Sequence, residues 1–211
     1  MKEPDVALTD YLLALEALAF AVLIARTPTN SPLQEWFVIL FAATAVAAFL
    51  GGTVHGFFVT TSGPASRGHN MLWRSVLVAI GLASTSAWAI GAHLLFSDRI
   101  ARIVTIAASV EFAAYAVLVV FVTDAFFFAA LNYLPSTLFL VVAFALRYRF
   151  DESSPVGLGL GGLVLTLVAA GMQRARIGFH PRYFSHNALF HLLQAMATLM
   201  IFRAAQFLIA H

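Results

Sequence analysis

The sequence predicts an all-α, polytopic membrane protein, a seven-transmembrane-helix bundle, on three observations. Of its 211 residues, 61% are hydrophobic and 10% charged, with a mean hydropathy of +0.89; a soluble domain is about 45 to 50% apolar and about 25% charged. The charges stand between apolar runs, as expected when each costs a few kcal/mol at the bilayer centre. The runs are continuous over about twice the length of a ten-residue barrel strand and do not alternate, which leaves helices as the spanning element. Seven spans of about 20 residues use roughly 140 positions and leave about 70 for ends and connections. The chain 1–211 therefore reads as a single transmembrane domain.

The first run extends from about Leu8 to Ala25 and ends at Arg26 and the turn-forming Thr27–Pro32 segment. Its start, MKEPDVALTDYLLALEALAF, lacks a basic region followed by an uninterrupted apolar one, so no cleaved signal peptide is expected. The second run is Trp36 to about Thr61, closed by the Gly-, Pro- and Ser-rich SGPASRGHN. The third spans about Met71 to Phe96 and the fourth about Ile100 to Val122, joined by a short turn at Ser97-Asp98. The fifth follows Thr123-Asp124 and reaches Leu146, with a polar bend expected at Asn132 and Pro135. The sixth is about Ser154 to Gln173, where Gly157 and Gly161 have the small-x-x-x-small spacing of close helix packing. The seventh is about Asn187 to Ala210.

Composition also excludes. The basic residues are scattered, the formal net charge is +2, and no basic stripe points to nucleic acid. With no cysteine, disulfides, thiolate ligands, iron-sulfur clusters and cysteine nucleophiles are out; the sole lysine, Lys2, excludes a retinal Schiff base within the membrane. The Ala-rich, Lys-poor composition fits a bacterial source, hence an inner membrane, and the Arg distribution leans to a cytoplasmic N-terminus.

Seven spans put the ends of even helices and the starts of odd ones on the side of the N-terminus. His55, His69, His180, His186 and His191, five of the seven histidines, fall there with Asp124; His93 and His211 fall on the other side. Neutral imidazole is the commonest metal ligand, and a catalytic zinc site has three protein ligands and an open position. His55, His186 and His191 are the candidates. Residues five apart on a helix differ by about 140°, so His186 and His191 converge only if Ser185 or Asn187 is the N-cap and His186 lies in the approach. Gln194, three residues beyond His191, shares its face and can orient a ligand.

Plainer readings stand beside these. His69 and His180 in interfacial loops read as solvated polar residues, and His55 and His191 can satisfy each other by a hydrogen bond without metal. Thr9-Asp10 and Thr123-Asp124 precede apolar runs and read as helix caps. Glu16 and Glu111 lie inside helices and need interior partners; Asn132 is the expected partner of Glu111.

Seven helices, a His near the end of the second and SHNALFHLLQAM opening the seventh resemble the alkaline ceramidase, adiponectin-receptor-like (CREST) membrane hydrolases. The resemblance implies zinc held by one His from the second helix and a His-x-x-x-His pair in the seventh, and hydrolysis of a lipid amide by zinc-bound water. His55 and His191 fall on two of those positions, Asn187 falls on the third, and His186 is one residue away. Gly51 stands where the family has Ser, and no acid follows His55 until Asp98. The leading expectation is thus a zinc-dependent hydrolase with a lipid substrate, membrane lipids as its surroundings, and Asp124 as base or as acceptor behind the ligands. The alternatives are a transporter or receptor with Glu16, Glu111 and Asn132 along a polar path, and haem held by paired histidines.

Overall fold

A computed structural model describes residues 1–59, 65–151, 153–180 and 183–210. Its elements are α1 (Pro4–Ala25), α2 (Pro32–Thr53) running into a π-helical turn (Val54–Phe58), α3 (Arg67–Leu95), α4 (Asp98–Val117) with a second π turn (Leu118–Val122), α5 (Phe126–Asp151), α6 (Ser154–Arg174) and α7 (His186–Ala210). The fold is all-α, with seven helices long and apolar enough to cross a membrane. Arg182 and His211 lie outside the described residues, as does most of the loop after the second helix.

The helices α1, α2, α3, α5, α6 and α7 follow one another around a closed ring, and α4 packs on the outside of α3. Burial separates the two: 72% of the apolar window of α3 is buried against 17% for α4. The expected Gly157 and Gly161 contact shifts along the helix. A Cβ at Gly162 would stand 2.7 Å from the backbone carbonyl of Ala197, so α6 and α7 touch backbone to backbone there, as small residues permit.

The bundle is apolar and aromatic on the side away from the N-terminus. Phe20 and Phe202 stack with centroids 4.1 Å apart, Phe41 meets both edge-on, and Phe37, Ile24 and Leu208 fill around them. About 15 Å back along α1, at 1.5 Å per residue, the lining changes to Asp10, Gly51, Gly52 and His191.

Two terminus readings change. Pro4 begins α1, a position where its missing N–H costs nothing, so Thr9 and Asp10 lie inside the helix and Asp10 caps nothing. At the start of α5 it is the Thr123 hydroxyl that accepts from the Ala125 N–H, at 3.3 Å. The Glu111–Asn132 contact forms, Asn132 Nδ2 donating to Glu111 Oε1 at 2.5 Å, on the outer face where Glu111 is exposed.

The cysteine-free chain makes the topology testable. Single cysteines at Arg67 and Arg176 are expected to react with an impermeant maleimide from one side of sealed vesicles, and one at Arg102 from the other. Opposite-side labelling of the first two would contradict the arrangement.

Candidate functional site

Two carboxylate–imidazole pairs occupy the N-terminal side of the bundle. The outer pair arises from the π turn that ends α2. This turn leaves the carbonyls of His55 and Gly56 without helical donors, and the segment before α1 supplies them: Lys2 N–H donates to Gly56 O at 3.0 Å and Glu3 N–H to His55 O at 3.2 Å. That clamp sets Glu3 Oε2 2.5 Å from His55 Nδ1. With Nδ1–H donating to the carboxylate, the ring is fixed as the tautomer whose Nε2 carries a lone pair. Nε2 has no hydrogen-bond partner among the described residues and is not sealed from the surface. Single extra-residue π turns recur at functional sites because they re-aim a side chain, and here the re-aimed side chain is His55.

The inner pair joins α1 to α7. His191 Nε2 is 3.2 Å from Asp10 Oδ1, with side chains 11% and 5% exposed. Its Nδ1 is 3.3 Å from Thr9 Oγ1, whose hydroxyl proton goes to the carbonyls of Asp5 or Val6, both at 2.9 Å. Thr9 therefore accepts from Nδ1–H, and one proton is left to lie between Nε2 and Asp10. The helices come close enough because α2 has no side chain in the way: a Cβ at Gly52 would sit 2.9 Å from Asp10 Cβ and 3.2 Å from the Ala7 carbonyl. Asp10 Oδ2 is buried without a partner.

Above them a polar cavity of about 580 Å³ opens on the N-terminal side, with Glu3 and Val6 on its wall alongside Asp5, Arg176, His186 and Asn187. Asp5 Oδ2 accepts from Ser185 N–H at 2.9 Å, which fastens the approach of α7 to α1.

The residues expected from sequence separate into several places. Ser185 is the cap of α7, its hydroxyl accepting from Ala188 N–H at 3.4 Å, and His186 is the first helical residue. His186 consequently faces the cavity while His191, five residues on, faces α1. Asn187 Oδ1 accepts from Gln173 Nε2 at 3.1 Å. Gln194 Nε2 reaches Thr166 Oγ1 at 3.4 Å, leaving Gln194 Oε1 buried and unpartnered. His180 lies on the cavity wall, its Nδ1 accepting from Tyr183 N–H at 3.2 Å. His69 Nδ1 meets the Phe58 carbonyl at 3.2 Å. Asp124 turns to Arg74, 4.0 Å from its Nε, while its carbonyl accepts from Trp73 Nε1 at 2.9 Å. Among the described residues no three His, Asp or Glu side chains form a group able to hold a metal ion. One nitrogen of each inner ring, His55 Nδ1 and His191 Nε2, faces a carboxylate.

Glu3 and Asp10 are the partners of the candidate histidines that sequence reasoning did not assign. A signal for Asp10 was present in Pro4, because a helix beginning there puts Asp10 nearly two turns inside an apolar element.

Residues 6–210 match the family described as "Family of unknown function (DUF6962)", and the chain belongs to that family. A comparison with curated proteins gave no match.

The inner pair carries a stability prediction. His191→Ala leaves Asp10 buried and without its hydrogen-bond partner, which typically costs about 1 to 3 kcal/mol, while the double variant Asp10→Leu/His191→Leu recovers most of that loss. Denaturant unfolding in bicelles measures both, and a single variant as stable as the double would refute the pairing.

Proposed function

We propose that the chain is an integral membrane protein carrying a one-sided acid–base site, and that this site hydrolyses a lipid amide. The observation that carries the reading is the Glu3–His55 pair with its unpartnered Nε2, backed by the buried Asp10–His191 pair and reached from one side only. A nucleophilic water needs a base whose tautomer is fixed by a third group, and Glu3 stands in that position to His55. In the proposed step His55 Nε2 takes a proton from water as its oxygen bonds to the amide carbon. The imidazolium is stabilised by Glu3, and the proton then passes to the amine as the C–N bond breaks. The preference for a lipid amide rests on the resemblance of His55 and SHNALFHLLQAM to the ceramidase-like hydrolases.

The transporter alternative is less well supported. Glu111 and Asn132 pair on the outside between α4 and α5, and the Phe20, Phe41 and Phe202 layer closes the interior beyond Asp10. A zinc-dependent form of the hydrolase is favoured by one observation, the buried and unpartnered Asp10 Oδ2. It requires His55 and His191 to exchange their carboxylates for the ion.

Purified protein is expected to release fatty acid from a panel of N-acyl lipids. His55→Ala should lower kcat by about 10² to 10⁴-fold, the range of general acid–base catalysis, Glu3→Gln by less, and His93→Ala not at all. Chelation followed by dialysis should leave the rate unchanged; loss restored by zinc would replace this reading with the zinc form. No hydrolysis of any amide or ester across the panel would reject the enzyme.

A further inference from the structure

A second cavity, unrelated to the histidines, lies on the outer face of α2 and α3. It is an open groove of about 840 Å³ whose wall on α2 is Val38, Ala42 and Val46 and whose wall on α3 is Val78, Ala79 and Leu82. Its end on the N-terminal side is different in kind, with Arg67, Asn70, Arg74 and Ser75. The spacing explains this. Residues 67, 71, 74, 78 and 82 recur at three- and four-residue steps along one stripe of α3, so the stripe begins with two arginines and continues apolar for the next two turns. Arg67 and Arg74 stand seven residues apart, about 10 Å along the axis. The groove therefore has a cationic mouth at one level and an apolar floor below it.

Arg74 adds a specific point. Among the described residues its Nε is buried and makes no hydrogen bond, with Asp124 Oδ2 at 4.0 Å. A guanidinium is suited to two parallel hydrogen bonds to phosphate, and basic pockets between transmembrane helices near a membrane surface accept acidic lipid headgroups.

We propose that this groove is a binding site for one anionic phospholipid, its phosphodiester between Arg67 and Arg74 and an acyl chain lying along Val46, Ala42, Val78 and Leu82. Asn70 and Ser75 offer further hydrogen bonds to the headgroup oxygens. Asp124, 4.0 Å from Arg74 Nε, opposes the headgroup in part. None of the residues lining this groove lines the polar cavity beside Glu3 and His186. The site rests on the reading that the helices span a membrane and not on the acid–base chemistry.

The test is the association of spin-labelled lipids with the intact protein reconstituted in phosphatidylcholine bilayers. Electron paramagnetic resonance compares the motionally restricted fraction of labelled phosphatidylglycerol with that of labelled phosphatidylcholine. The expected preference for phosphatidylglycerol at low salt is on the order of fivefold for each arginine engaged, from the usual strength of an arginine at an anionic surface. Arg67→Gln/Arg74→Gln should abolish it, and Arg99→Gln/Arg102→Gln on the other side should not. Ala42→Trp, which fills the apolar floor and leaves both arginines, should also abolish it. A preference that survives Ala42→Trp would mean diffuse surface attraction and overturn the site, as would equal association of the two lipids or a preference indifferent to Arg67 and Arg74. No restricted component from either lipid would overturn the membrane reading with it. Because Ala42→Trp and the arginine variants perturb different ends of the groove, misfolding of one leaves the other decisive.

Discussion

A carboxyl and an imidazole facing each other inside an apolar bundle constrain everything around them. Asp10 and His191 are shut away from water, so neither tolerates the loss of the other, and α1 and α7 must hold a fixed register to keep Nε2 and Oδ1 3.2 Å apart. That register dictates the rest of the N-terminal side. Gly52 has to lack a side chain, Thr9 has to spend its own proton on the helix backbone, and Asp5 is carried to the point where it receives the Ser185 N–H. Replacing both partners of such a pair by packed leucines is commonly close to neutral for stability, whereas removing one is not.

Glu3 fixes the tautomer of His55, whose remaining nitrogen has no hydrogen-bond partner among the described residues. The aromatic layer of Phe20, Phe41 and Phe202 fills the other half of the bundle, so the two pairs lie toward the side of the N-terminus.

The fold was legible in the sequence because Arg26, Arg67, Asp98 and Asp124 punctuate it; their cost in hydrocarbon marks the helix ends far more sharply than any propensity does. The gathering of histidines on one side was legible by parity for the same reason. What binds them was not. His55 meets Glu3 across 52 positions and His191 meets Asp10 across 181, and no local pattern links residues so far apart. Thr9-Asp10 before an apolar run looks like a cap, and only the preference of Pro4 for the first helical position argues otherwise. The π turn at Val54–Phe58 was equally hidden, since its effect is to add one residue to a turn whose sequence reads as ordinary helix. Asp124 misled in the opposite direction: its place on the correct side is real, but Arg74 stands next to it and claims its charge.

The central claim is that His191 is held by Asp10 and His55 by Glu3. Solid-state nuclear magnetic resonance on bilayer-embedded protein, with nitrogen-15 in the histidine rings and carbon-13 in the side-chain carboxyls, measures this directly. The account predicts a dipolar coupling from the His191 ring to the Asp10 carboxyl and a second from the His55 ring to the Glu3 carboxyl, each removed when its acid is replaced by alanine. Absence of both couplings in folded protein, with the two rings bonded to water or to an ion instead, would contradict it.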